Sequence, residues 1–310
     1  MSRRALFTHN DLDALTSALL ARLAMPDCDV FFCTYDRFPE LITRRGRAYD
    51  VIWVADLSMK SDSPEMAALR SMDAEVSWFD HHASSDDQSW MAHCAIDRTG
   101  QFCSAEMVGQ RLAQLGIEVP IPLQTLTEYT HDQDLWVRVI PESQTFNDIL
   151  GQMQVQELFD LLSADPMRVY HPTDSMAAAS ARTLAEREWS RDLAEQSATV
   201  VDAGGGQRVK AVCCWGSVSE VGDMVGDPST LVVLVDLRSL DRGYLRFSMR
   251  TQSDEIDASR VAEQFGGGGH AKAAGVSMGL DLLQALTAAV ARRVNGALQT
   301  VNSADGDGEE

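Results

Sequence analysis

Ala5-Leu6-Phe7-Thr8-His9-Asn10-Asp11-Leu12-Asp13 reads as a short buried strand running into a turn that carries one imidazole and two carboxylates. From Asp11 to Met25 the spacing of Leu12, Leu15, Leu19 and Leu23 predicts a helix with one apolar face. The same grammar recurs twice. Val51-Ile52-Trp53-Val54-Ala55 ends in Asp56, and Val76-Ser77-Trp78-Phe79 ends in Asp80-His81-His82. Helices are predicted over Ser63–Met72, opening Ser-Pro-Glu, and over Ser104–Leu115, with Ser104 as its cap. Alternating strands and helices predict an α/β fold with a doubly wound parallel sheet. Ligands of such sheets bind at the carboxyl ends of the strands, which is where the acids and imidazoles fall.

The chain has 310 residues, enough for two cores, and its 45% hydrophobic share is that of a globular protein. The composition shifts near Gly151, and Thr173–Gln196 is a Gly- and Pro-free stretch that predicts a long helix. The expected organisation is a metal-binding domain over residues 1–165, a helical linker over 166–197, a smaller α/β C-terminal domain over 198–300 and an acidic tail over 301–310. In the C-terminal domain, strands are predicted at Val209–Trp215, Leu231–Leu237 and Tyr244–Met249, and helices at Asp257–Phe265 and Leu280–Leu298.

No apolar run approaches the roughly 20 residues that span a membrane, and no signal region follows Met1, so a cytoplasmic setting is expected. Six cysteines without a Cys-x-x-Cys pair predict reduced thiols. A net charge of -20 argues against sequence-independent binding to long duplex nucleic acid. It leaves room for a small phosphate ligand in a locally positive pocket, because screening limits the reach of distant charge.

Each strand-end segment has an ordinary reading. Asp11 or Asp13 can cap a helix, Asp56 can be a turn residue, and His81 and His82 can be a hydrogen-bonded pair. All three would have to hold together, whereas one metal centre accounts for the set. Carboxylates with a few imidazoles suit manganese or magnesium; no thiolate-rich cluster is present. A further segment, Tyr129-Thr130-His131-Asp132-Gln133-Asp134-Leu135-Trp136, reads as a helix end and offers Asp132 or Asp134 as one more ligand. Trp136 and Tyr129 can stack on a base, but core packing is the expected role. Phe265-Gly266-Gly267-Gly268-Gly269-His270 is by composition a hinge, although side-chain-free backbone can also offer N–H groups to a phosphate. Arg246 and Arg250 flank Ser248 on one face of a strand.

The set His-x-Asp-x-Asp, strand-end Asp, Asp-His-His and Asp-x-Asp-Leu-Trp, followed by Phe247-Ser248-Met249-Arg250 and the glycine run, resembles the DHH phosphoesterase superfamily with its DHH-associated C-terminal domain. The short His9-to-Asp11 spacing is similar to that of NrnB-type oligoribonucleases. The resemblance implies two divalent cations, manganese or alternatively magnesium. His9 and Asp11 would hold one, Asp13, His81 and Asp132 the other, with Asp134 in reserve for Asp132 and Asp56 bridging both. It also implies that His82 faces the scissile phosphate, that Asp80 orients the imidazoles, and that Arg250, Gly267, Gly268, Gly269 and His270 grip substrate. The implied activity is hydrolysis of short oligonucleotides to nucleoside monophosphates. Rival readings are a cyclic nucleotide or cyclic dinucleotide phosphodiesterase, a 3′-phosphoadenosine 5′-phosphate phosphatase, and a nucleotide-binding regulator without catalysis.

Overall fold

The computed structural model describes residues 2–82, 85–269 and 271–279, together with Ala288 and residues 291–293. The chain divides into two compact units, Met1–Thr183 and Leu184–Glu310.

In the first unit β1 (Arg4–Thr8) leads to α1 (Leu12–Ala24), β2 (Asp29–Phe32) to α2 (Phe38–Arg45), and β3 (Val51–Ala55) to α3 (Pro64–Arg70). Then come β4 (Glu75–Asp80), β5 (His93–Ile96) and the helices α4 (Ser104–Gln114), α5 (Ile121–Asp134), α6 (Pro141–Leu150) and α7 (Val155–Ala164). The long α8 (Asp174–Ser197) carries the division between the units. All strand pairs are parallel, in the order β2-β1-β3-β4-β5. The register sets Thr8 opposite Ala55, and Ala55 opposite Phe79, so the three central strands end level with one another.

β1, β3 and β4 are apolar almost throughout because both sheet faces are covered. Leu15, Leu19, Leu112 and Leu126 pack on one side with Leu6, Trp53 and Phe79. Phe38, Ile42, Met66 and Leu69 pack on the other with Phe7, Val54 and Trp78. Trp78 satisfies its buried indole N–H on Leu57 O at 3.0 Å.

β2 and β5 go beyond the strands expected from sequence. Both are short edge strands, only partly buried, so they lack a continuous apolar run. The expected cap at Ser104 is also corrected. Ser104 is the first residue of α4, and its N–H and that of Ala105 are received by the Asp13 carboxylate at 2.8 and 2.7 Å. A distant acid does the work a local hydroxyl was expected to do.

The second unit continues with β6 (Thr199–Gly204), β7 (Gln207–Cys214), α9 (Val218–Val225) and β8 (Thr230–Asp236). β9 (Leu245–Thr251), α10 (Ala258–Glu263), β10 (Gly268–Gly269) and β11 (Ala273–Met278) follow. The sheet order is β10-β11-β9-β8-β7-β6, with β7 and β8 parallel and the other neighbours antiparallel. The helix expected over Leu280–Leu298 falls largely outside the described residues, which are helical at Ala288 and 291–293; the tail 301–310 lies outside them. None of the six cysteines is in a disulfide. Among the described residues no helix is long and apolar enough to cross a membrane.

Candidate metal centre

Because β1, β3 and β4 run parallel and end level, the residues just past each of them share one edge of the sheet. Past β1, Asp11 caps α1 by accepting the Ala14 N–H on Oδ1 at 3.0 Å, and its Oδ2 lies 2.6 Å from His9 Nδ1. Past β3, Asp56 adopts a left-handed φ of 53° while its N–H donates to Phe79 O at 3.0 Å. That conformation is uncommon for a residue other than glycine and costs about 1–3 kcal/mol. Past β4 stand His81 and His82.

Asp56 lies between two clusters. Its Oδ2 is 3.7 Å from His9 Nδ1, and its Oδ1 is 3.5 Å from His81 Nε2. His81 Nε2 is also 3.3 Å from Asp134 Oδ2 and 3.8 Å from Asp13 Oδ2. Among the described residues, three overlapping sets of side chains are each close enough to hold a metal ion: His9, Asp11 and Asp56; Asp13, His81 and Asp134; and Asp56, His81 and His82.

The electrostatics fit a cation. Burial pushes the Asp56 and Asp134 carboxyls well above their ordinary range, and repulsion from the neighbouring carboxylates adds to it. Burial also raises Asp13, partly offset by His81 and the α4 amides. Asp11 goes the other way: burial would raise it, but the hydrogen bond and charge of His9 hold it down. Asp56 Oδ2 and Asp134 Oδ2 are buried without a hydrogen-bond partner among the described residues. Unsatisfied buried carboxylate oxygens are costly, and a hard divalent ion satisfies oxygen and imidazole donors of this kind.

Asp132, expected as a ligand, is committed elsewhere. Oδ1 accepts the N–H groups of Val139 and Ile140 at 2.7 and 3.2 Å, and Oδ2 accepts the Ser143 hydroxyl at 2.5 Å. These donors hold its pKa down against the effect of burial. Asp134 takes the place against His81. Asp80 accepts from His82 Nδ1 at 2.8 Å on Oδ1 and from Ser85 Oγ on Oδ2. That leaves His82 Nε2 on the Tyr35 hydroxyl at 2.9 Å. Tyr35 also tilts against His9, with ring centroids 4.7 Å apart. Sequence reasoning missed Tyr35, which lies just past the unforeseen β2; reading that strand would have exposed a fourth strand end.

In the second unit Arg250 is half-buried, donating to Met249 O at 2.8 Å and Ser219 Oγ at 3.0 Å. Burial, and then Arg246, lower its pKa. The Gly267 N–H is taken by Ala262 O at 2.9 Å. A Cβ on Gly267 would collide with Gly275 O, and one on Gly269 would lie 2.6 Å from Ala273 O, whereas Gly268 faces open space. Gly267→Ala is therefore expected to lower the melting temperature, through an overpacking cost of roughly 1–3 kcal/mol. Gly268→Ala should leave it unchanged, and thermal denaturation of both variants checks this. His270 lies outside the described residues.

A DHHA1 domain model matches residues 211–296. The chain is 23% identical over 293 residues to oligoribonuclease NrnB of Bacillus subtilis (strain 168), covering 88% of this chain and 72% of the relative. The structure is similar to that of a pGpG-specific phosphodiesterase, PggH, from Vibrio cholerae. There the identity is 12% and the TM-score 0.56, over 95% of this chain and 99% of the other. It is also similar to a crystal structure of RecJ in complex with Mn2+ from Thermus thermophilus. In that case the identity is 17% and the TM-score 0.55, over 93% of this chain and 52% of the other. At these identities the structural likenesses show the fold: a five-stranded parallel sheet followed by a second sheet.

Proposed function

We propose that this chain, built like the DHH phosphoesterases and carrying a DHHA1 domain, is a phosphodiesterase that uses two divalent cations, manganese or magnesium, to hydrolyse short oligonucleotides to nucleoside monophosphates. The observation that carries the reading is the gathering of His9, Asp11, Asp13, Asp56 and His81, past level strand ends, with Asp134 from the end of α5 into overlapping sets, two of whose buried carboxylate oxygens have no hydrogen-bond partner among the described residues. One ion would be held by His9, Asp11 and Asp56, the other by Asp13, His81 and Asp134, with Asp56 shared. Divalent ions held there supply positive charge that activates water and neutralises phosphate oxygens.

The chain's own residues prepare that chemistry. The α4 amides fix Asp13, and the Ala14 amide and His9 fix Asp11, so these carboxylates need no reordering when they bind. Burial would lower the His82 pKa, but Asp80, which accepts from Nδ1, raises it, and the protonated ring can donate from its Nε2 end to a phosphate oxygen or a departing ribose oxygen. Tyr35 positions that end. Tyr35→Phe is expected to reduce kcat about fivefold, the loss of one net hydrogen bond, with metal affinity unchanged. Kinetics at saturating manganese, with a metal titration alongside, check this. In the second unit the Gly268 backbone and Arg250 are the groups we assign to gripping a substrate phosphate, as is His270.

The likeness to an oligoribonuclease and to a phosphodiesterase specific for a linear dinucleotide supports short linear substrates over cyclic ones. The test is a product time course with manganese or magnesium on di- to decanucleotides of RNA and DNA, cyclic dinucleotides and 3′-phosphoadenosine 5′-phosphate. Mononucleotides from the shortest linear substrates, with EDTA stopping the reaction, are expected. Turnover of only the cyclic or the monoester substrates would replace the oligonucleotide assignment, and no metal-dependent turnover would end the hydrolase reading.

A further inference from the structure

We infer that Trp136, backed by Arg138, is a stacking platform for a nucleobase of the substrate; this rests on the phosphodiesterase reading above. Helix α5 ends at Asp134, and the next residue but one is Trp136. Two peptide steps keep the Trp136 Cα within about 7.6 Å of the Asp134 Cα. A base on a nucleotide whose phosphate meets the ion that Asp134 would hold is thus within the reach of an indole at this position.

The indole is held out, not in. Sequence alone favoured the core for Trp136 over stacking on a base, yet it is 43% exposed, and the flanking Val137 and Val139 are 44% and 73% exposed. Trp136 and Arg138 both adopt left-handed backbone, with φ of 59° and 57°. Such conformations persist in non-glycine residues only where the surroundings impose them, and here Asp132 does so. Its carbonyl accepts the N–H groups of Val137 and Arg138 at 3.0 and 3.1 Å, and its carboxylate accepts those of Val139 and Ile140.

One face of the indole is already covered. The Arg138 guanidinium lies 3.7 Å from the ring centroid, and its Nη1 donates to Gln144 Oε1 at 2.6 Å. A cation on one face fixes the ring and leaves the other for a second planar partner. The partner that accompanies a phosphodiester is a nucleobase. Stacking is tolerant of base identity, because every base presents a π-face. The platform therefore predicts a requirement for a base without a strong preference among bases.

The experiment compares kcat/KM of full-length, manganese-loaded protein on a dinucleotide and on analogues in which either base is replaced by hydrogen. Trp136→Leu and Trp136→Phe are run beside the wild type. Wild type is expected to favour the intact dinucleotide over one of the abasic analogues by roughly 5- to 150-fold, the worth of one stacked base. That preference should collapse toward unity in Trp136→Leu and be largely kept in Trp136→Phe. Both variants are apolar, so a merely structural role would move the two together. A full preference surviving in Trp136→Leu, or no preference in the wild type, overturns the platform while leaving the phosphodiesterase reading intact. No turnover of any of these substrates by wild type overturns that reading, and the platform with it.

Discussion

Asp56→Asn is expected to reduce phosphodiester hydrolysis by at least about a thousandfold, the scale on which preorganised charge at a reacting phosphate acts. Its two oxygens reach toward different partners, His9 on one side and His81 on the other, so one substitution damages both proposed ion positions. The metal-free protein gives a second readout with a definite sign. The Asp56 pKa is raised in the fold by burial and by the surrounding carboxylates. A raised carboxyl means the native state holds its proton more tightly than the unfolded chain does. Stability is therefore greatest below the ordinary carboxylate value near 4 and is lost as pH rises through the raised folded value. Chelated Asp56→Asn should then melt above chelated wild type at neutral pH, and the gap should close as pH falls toward about 4. Added manganese should reverse the order, because binding stabilises the state that binds. Thermal melts with EDTA and with manganese, at several pH values, check both halves. Unchanged hydrolysis in Asp56→Asn would remove the proposed centre altogether.

The contrast between Asp132 and Asp134 carries the second large effect. Asp134→Asn is expected to cost at least about a hundredfold in turnover while the fold stays intact. Its Oδ2 has no hydrogen-bond partner among the described residues, and its carboxyl is raised by burial and like charge. Asp132→Ala should do the reverse to the fold. It would remove the acceptor of the Val139 and Ile140 N–H groups and one of the two acceptors of the Ser143 hydroxyl, which keeps Ile140 O, at about 1–3 kcal/mol for each group left unsatisfied. The melting temperature should drop sharply, and lost activity should follow lost structure. An Asp132→Ala variant that keeps its melting temperature and loses only metal affinity would return Asp132 to the centre and displace Asp134.

Much of the first unit was legible because β1, β3 and β4 are buried on both faces and therefore show as uninterrupted apolar runs. β2 and β5 were not legible, since edge strands with half-buried residues carry no such signal. Tyr35 was lost with β2. Asp13 stood out as a strand-end acid, but its bonds to the α4 amides cross more than ninety residues of chain, which no local pattern encodes. The glycine run showed in composition. That Gly267 and Gly269 are needed for a close strand approach while Gly268 is open depends on where β11 returns.

The amino-acid sequence determined which residue types end the three central strands, and with them the α/β fold and a hard-ligand chemistry; parallel strands place their carboxyl ends along one edge whatever else the chain does. The choice between Asp132 and Asp134 belonged to tertiary structure. Residues two apart on a helix point about 200° away from each other, so one of the pair can face His81 and the other must face the loop that follows α5. Only the packing of α5 against α1 and α4 sets which is which. The same packing turned Trp136 outward, because the loop that Asp132 pins leaves it no core to enter.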